Sequence, residues 1–391
     1  MPDQLSAAAT APPTDLVTAL RERYPRVAVT HEWLTIPGGS EAVVAAILEL
    51  VPHAELFVSV RDRTRHWPPP VGSVPIHESW LSRLPRASQY YPRLLPLMDG
   101  AFRHFDMTRF DLIVSSNHAC AKNVVTPAGT RHVCYCHTPM RYVWDPSFLD
   151  GENLGPVGTF AFQKLLPRLR RTDLRGATQP DTFVANSRFV AQRILDCYGR
   201  DAQVIHPPVD VERFSAIERR TASDAPYLVF GRVVPYKKVD IAVRACARLG
   251  RPLIVAGEGR DLDRVRALAG PRTTFLGPVR DERVHELLAT SRALLFPGEE
   301  DFGIVPVEAQ AAGLPVVALE RGGARDSVID GETGVLYSGS TPEGLCAGIE
   351  RFESLSFDDA TLRRHAARFG PARFAAEFGG VLLHRSGERG R

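Results

Sequence analysis

The sequence predicts an α/β chain built from two doubly wound, Rossmann-like domains. Three observations carry that prediction. Short apolar runs suited to buried strands recur along the chain and alternate with helical stretches, the pattern of a parallel sheet covered by helices on both faces. The runs of the second half each end in Gly or Pro punctuation before the next helical stretch. A Pro207-Pro208 break separates two such series, and 391 residues, 44% hydrophobic and 24% charged, suffice for two cores.

In the first series, after an irregular opening dozen residues, the first strand is read over 27–30 and a loop over 31–37. Gly38-Gly39-Ser40-Glu41 then opens a helix over 42–50, with Ser40 as N-cap and two glycines that let the backbone pass close to a ligand. Further strands are read over 55–58, 112–115, 132–136, 182–185 and 203–205. His137 stands at the end of one of them, and Asn186-Ser187 at the end of another, where capping the next helix is the expected role. The helical stretch 160–175 carries Lys164, Arg168, Arg170, Arg171 and Arg175 against Asp173, a solvated face or a patch for an anionic surface.

The second series places strands over 227–230, 253–256, 274–276, 293–296, 316–318 and 334–337. Directly after the first of these comes Gly231-Arg232-Val233-Val234-Pro235-Tyr236-Lys237-Lys238, which sets a guanidinium and two ammonium groups at a strand's carboxyl end, as a diphosphate clamp requires. Gly257-Glu258-Gly259 lacks the third glycine of a dinucleotide fingerprint. Asp261-Leu262-Asp263 has the form of a metal-binding pair but stands at a helix start, where Asp is common for capping reasons. The stretch 293–313 then supplies a strand, the acidic loop Glu299-Glu300-Asp301, and a helix start around Gly303 whose first N–H groups have no partner within the helix. Glu300 and Glu308 flank that start.

Composition excludes several classes. The net charge of +3 is not a nucleic-acid footprint, and no apolar run reaches the roughly 18–20 residues that span a bilayer. The amino terminus lacks a basic region followed by an apolar core, and six cysteines without a compact framework fit a reducing compartment. A cytoplasmic location is expected, with peripheral contact at the inner membrane face as a further option. Cys134-Tyr135-Cys136-His137 has no second ligand pair at zinc spacing, so buried thiols on a strand are expected.

The pieces also appear in the order of a known family. GGSE at 38–41, YCHTPMRYVWD at 135–145, ANSRFV at 185–190, VIHPPVDVERF at 204–214, GRVVPYKKVD at 231–240, GEG at 257–259, FLGPV at 275–279, EEDFGIVPVEAQAAGLPVVA at 299–318 and GETGVLY at 331–337 together resemble the retaining glycosyltransferases of family 4. The resemblance implies the GT-B fold, two Rossmann-like domains facing each other across a cleft. It implies an acceptor-binding domain over 1–213, a nucleotide-sugar domain over 214–370, and a segment 371–391 whose helix returns to the first domain. It implies that Arg232 and Lys237 hold the donor diphosphate, that Gly39 approaches it, and that Glu308 binds the ribose hydroxyls. Glu300 and His137 are expected near the transferred sugar, with Phe302, Gly303 and Ile304 contributing backbone around sugar and diphosphate. Lys238 stands where many relatives carry glycine, and Asp326 where glutamate is commoner.

The wording PYKKVD and EEDFGIVPVE resembles the mannosyltransferase branch that uses GDP-mannose. The expected activity is therefore hexose transfer, with mannose from GDP-mannose as the leading donor, to a hydroxyl acceptor on a glycan, a lipid-linked sugar or a small molecule. No cofactor and no metal are expected. A silent nucleotide-sugar binder, an epimerase or a phosphorylase on the same fold are the competing expectations.

Overall fold

The computed structural model describes residues 11–145 and 155–384. The first ten residues, part of the irregular opening read from the sequence, lie outside the described residues, as do 146–154 and the tail 385–391. The chain divides into two compact units, with breaks between Pro208 and Val209 and between Gly370 and Pro371.

The amino-terminal unit is built on a seven-stranded parallel sheet: β1 Val27–Leu34, β2 Glu55–Arg61, β3 Ile76–Glu78, β4 Leu112–Asn117, β5 Arg131–Cys136, β6 Thr182–Ala185 and β7 Ala202–Val204, in the order β3-β2-β1-β4-β5-β6-β7. The strand order reverses between β1 and β4, so the loops leaving these two strands diverge and open a crevice at their carboxyl ends. One face of the sheet is covered by helix Gly39–Leu50, which packs Ile47 and Leu48 onto Val29, Val58 and Val114. The other face packs Met98 and Phe102 of helix Leu95–Arg103 with Phe57, Ile113 and Leu169.

Helix Pro371–Leu383 belongs to this unit although it ends the described chain. Phe374, Phe378 and Leu382 are buried, and both phenyl rings meet Tyr135 at 5.8 Å. The helix leaves its last carbonyls without internal partners. The Arg131 guanidinium fills that need, donating to the carbonyls of Val381 (2.6 Å), Leu382 (2.7 Å) and His384 (2.6 Å).

The carboxyl-terminal unit carries a six-stranded parallel sheet: β8 Tyr227–Phe230, β9 Leu253–Ala256, β10 Thr273–Gly277, β11 Leu294–Phe296, β12 Val316–Leu319 and β13 Gly334–Tyr337, in the order β10-β9-β8-β11-β12-β13. Here the reversal falls between β8 and β11. One face is filled by Val239, Val243, Cys246 and Ile349, the other by Phe296, Phe302, Val307 and Phe369.

Three readings are corrected. The loop expected over 31–37 is strand as far as Leu34, because β1 pairs with β2 through Trp33 and Leu34. The edge strand β3 was not predicted; its three half-buried residues, Ile-His-Glu, form no apolar run. By packing, Val209 already belongs to the core of the second unit, so the two compact units part between Pro208 and Val209. Ser40 does not cap its helix: Gly38 is the N-cap residue, and the Ser40 hydroxyl donates to Glu41 instead (2.9 Å).

Candidate active site

The carboxyl-terminal unit gathers its charged groups at the β8/β11 reversal. The chain leaves β8 at Gly231 and passes through a short 3-10 turn, Pro235–Lys237. That turn returns the half-buried Lys237 ammonium to the loop after β11, where it donates to Glu300 Oε1 at 2.6 Å. Burial opposes the charge on Lys237, but the adjacent Glu300 carboxylate outweighs it and holds the ammonium above its usual range. Arg232 is exposed beside it, its guanidinium 3.3 Å from the Tyr236 hydroxyl. Lys238 is exposed and sits at φ 52°, a left-handed conformation that glycine adopts without cost and a lysine does not. The backbone thus accounts for glycine at this position, and Lys237 rather than Lys238 is the lysine joined to the acidic loop.

The loop is held from below. The Gly323 N–H donates to the Glu300 carbonyl at 2.8 Å, and a Cβ on Gly323 would stand 2.2 Å from Phe302 Cα. Phe302 buries its ring against Phe369, so its side chain anchors the loop while its backbone stays at the crevice. Gly303 follows at φ 85° as the N-cap residue of helix Ile304–Ala311. The N–H groups of Gly303, Ile304 and Val305 make no backbone hydrogen bond among the described residues, and Pro306 has none to offer. Three donors and the positive end of the helix dipole therefore converge beside Lys237 and Arg232, an arrangement that accepts an anion.

Glu308 lies one turn further along this helix. Its half-buried carboxyl makes no hydrogen bond among the described residues. Burial pushes it up to about 7; Asp210 and Asp281 act in the same direction, while Arg213 and Lys237 act against it. A carboxylate left without a donor at the mouth of a crevice is suited to receiving hydroxyl groups. Asp261, by contrast, is taken: Arg264 grips both its oxygens at 2.7 Å, and its side chain does not cap the helix. Among the described residues no group of three or more His, Cys, Asp and Glu side chains could hold a metal ion.

The amino-terminal unit has its own polar cluster at the β1/β4 reversal. His31 and Glu32 lie within β1, fully buried. His31 Nε2 faces Glu41 Oε1 at 3.2 Å, and its Nδ1 faces both the carbonyl and the hydroxyl of Ser116, at 3.3 and 3.2 Å. The Ser116 hydroxyl lies 2.9 Å from His137 Nε2. Glu32 Oε1 accepts from the N–H groups of His118, Ala119 and Ala121 at 3.1, 2.7 and 3.0 Å, and its other oxygen is 3.3 Å from His118 Nδ1. Gly39 opens the first turn of helix Gly39–Leu50 directly after this strand. Asn186 donates to the His137 carbonyl at 3.0 Å, and Ser187 caps the helix Arg188–Tyr198 through the Val190 N–H.

Of the residues expected from the sequence, Arg232, Lys237, Glu300, Gly303, Ile304 and Glu308 meet in the carboxyl-terminal unit. His137 and Gly39 both lie at the crevice end of the amino-terminal sheet. Sequence reading missed His31, Glu32, Glu41, Ser116 and His118. A signal was present: a parallel-sheet strand buried on both faces should be nearly continuous in Val, Ile and Leu, and His-Glu in its middle departs from that pattern.

With the geometry in place, comparison with known proteins decides the family. The model described as "Glycosyltransferase Family 4" matches residues 37–213, and "Glycosyl transferases group 1" matches 210–371. The chain belongs to the family 4-type glycosyltransferases. Curated relatives include the D-inositol 3-phosphate glycosyltransferase of Geodermatophilus obscurus, 36% identical over 226 residues, which are 49% of this chain and 50% of that protein. That of Mycobacterium bovis is 36% identical over 184 residues, covering 41% and 38%. The chain thus spans about half the length of the curated relatives it matches, or less. Among solved structures, HepE from Anabaena in complex with UDP has a TM-score of 0.65 at 19% identity, covering 91% of this chain and 99% of that one. The lipopolysaccharide outer core galactosyltransferase WaaB has a TM-score of 0.64 at 17% identity, covering 92% and 99%. These two share the GT-B fold with the family member described here.

Proposed function

We propose that the chain is a retaining glycosyltransferase that moves a hexose from a nucleotide-diphosphate sugar to a hydroxyl acceptor. The observation that carries this reading is the convergence of the Lys237–Glu300 pair, the Arg232 guanidinium and three N–H groups without a backbone partner among the described residues at one helix start. Arg232, Lys237 and those N–H groups meet the diphosphate, whose negative charge grows as the bond to the sugar breaks, and charge stabilisation of this kind is a large share of catalysis. Glu308 accepts from the ribose hydroxyls, and Glu300 lies by the donor sugar.

The transfer keeps the anomeric configuration by a same-face route through an oxocarbenium-like state, with the departing phosphate oxygen taking the acceptor's proton. A two-step displacement needs a free carboxylate nucleophile at the anomeric carbon. Glu32 and Glu41 are buried and bonded inward to histidines and backbone N–H groups, so neither is free to attack. Cations belonging to the chain supply the counter-charge, and the transfer is proposed to run without a metal.

GDP-mannose is the proposed donor, on the wording of 235–240 and 299–308. UDP-sugars are the alternative, since HepE, of the same fold, was solved with UDP and with UDP-glucose. Thermal-shift measurements against GDP-, UDP-, ADP- and dTDP-sugars separate them. A ligand at 100 times its dissociation constant stabilises by about 2.7 kcal/mol, which a melting curve resolves. The largest shift is expected with GDP-mannose, and a larger one with a UDP-sugar reassigns the base.

A further inference from the structure

The polar cluster of the amino-terminal unit is a directed chain of hydrogen bonds, and its direction follows from which atoms can only accept. His31 Nε2 faces a carboxylate oxygen, and its Nδ1 faces a backbone carbonyl oxygen as well as the Ser116 hydroxyl. Neither a carboxylate nor a carbonyl can donate, so both ring nitrogens of His31 carry protons. Burial alone would strip that charge, but the hydrogen bond and charge of Glu41 outweigh it and raise the ring above its usual value. With Nδ1–H donated towards Ser116, the serine hydroxyl keeps its own proton for the one remaining partner, His137 Nε2 at 2.9 Å. His137 Nε2 therefore accepts, and the ring proton sits on Nδ1. That Nδ1 makes no hydrogen bond among the described residues.

We infer that Glu41, His31 and Ser116 act as positioning residues that lock His137 in the neutral Nδ1–H form, so that it meets substrate as a hydrogen-bond donor and not as a base. The inference rests on the proposed place of His137 near the transferred sugar. A donor there suits a sugar hydroxyl or ring oxygen, whose lone pairs it would engage. The groups facing His137 agree with a neutral ring. The rings of His118, on the loop after β4, and of Tyr135, on β5, lie 6.3 and 5.2 Å from that of His137, and the charged His31 lies beyond Ser116, with Glu41 and Glu32 behind it. Burial first, and then the positive charge of His118 and His31, hold His137 well below the usual imidazole value.

The chain makes a distinctive prediction for a residue that does not touch His137. In Glu41→Gln the amide oxygen still accepts from Nε2, but His31 loses the charge that kept it doubly protonated. A neutral His31 with its proton on Nε2 accepts at Nδ1 from Ser116, whose hydroxyl proton is then committed, and His137 must donate through Nε2. The ring flips its tautomer three hydrogen bonds away.

Nitrogen-15 spectra of the histidine-labelled full chain without substrate, with the His137 signals assigned through His137→Gln, read this directly. Wild type is expected to show His137 protonated on Nδ1 alone and unchanged from pH 6 to 8. Glu41→Gln is expected to show it protonated on Nε2, and Ser116→Ala to show a mixture of the two forms. A wild-type ring protonated on Nε2, or the wild-type tautomer retained in both variants, overturns the inference. Because these spectra need no turnover, their failure is distinct from a failure of the transferase reading, which shows instead as His137→Gln with wild-type kcat and KM.

Discussion

At the scale of single residues, the two glutamates that flank the helix start do different work because their surroundings differ. Glu300 is held by Lys237 at 2.6 Å, whereas the Glu308 carboxyl, with no such partner among the described residues, is pushed by burial up to about 7. Only the ionised form accepts two hydroxyl donors, so ribose binding is complete above that value and weakens as pH falls through it. Donor affinity is expected to drop about tenfold between pH 8 and pH 6 in wild type, one pKa unit being a factor of ten. In Glu308→Gln the affinity should be lower at pH 8 and flat across that range. Calorimetric titration with the intact nucleotide sugar checks this, since its diphosphate diester has no ionisation of its own in that window. A wild-type affinity independent of pH would remove Glu308 from the ribose.

Elements position these residues through buried polar anchors as much as through apolar packing. Helix Gly155–Gly176 is fixed by Asp173, whose carboxylate is fully buried against the Lys122 ammonium and also accepts from Trp144 Nε1 at 2.6 Å and the Tyr198 hydroxyl at 2.9 Å. Asp173 is turned inward, while the basic residues Lys164, Arg168 and Arg171 lie on the exposed side of the helix. Breaking such a pair leaves an uncompensated charge inside, at a cost of about 3–5 kcal/mol. Lys122→Met should lose that much by urea denaturation, and adding Asp173→Leu should restore part of it. A neutral single variant would show that the pair is not closed.

This scale also shows what the sequence made legible. Twelve of the thirteen strands were readable as short apolar runs, and most of these are buried on both faces, as parallel strands under two helix layers are. Arg232, Lys237, Glu300 and Glu308 were readable because they lie on the segments that leave strands β8 and β11. The His31–Glu41–Ser116 chain was not. Its members come from β1, a helix and β4, and only the β1–β4 register, which sets His31 opposite Ser116, brings them together. Periodicity within one segment carries no information on which polar residue of another strand lies across from it.

For the whole molecule, the last helix in sequence completes the first unit in space. Phe374, Phe378 and Leu382 are buried beside Tyr135, and each large-to-small change at such sites costs about 3–5 kcal/mol for Phe. Removing residues 371–391 altogether takes away all three, a loss comparable to the roughly 5–15 kcal/mol that stabilises a typical domain. Scanning calorimetry of the shortened chain is therefore expected to lose the transition of the amino-terminal unit. The transition of the carboxyl-terminal unit, which keeps both of its own core layers, should survive and still rise with added nucleotide. Loss of both transitions would mean that the second unit depends on the first.

If the groups converging on the helix start at Gly303 stabilise charge on a leaving diphosphate, release of nucleoside diphosphate under saturating donor and acceptor will separate wild type from Arg232→Ala. Because Arg232 is exposed and, among the described residues, its side chain bonds to Tyr236 alone, its loss should leave the melting temperature unchanged. Loss of one such donor typically slows turnover about 100- to 1,000-fold. A drop of that size at unchanged stability is the predicted result, and wild-type turnover in the variant would contradict the account.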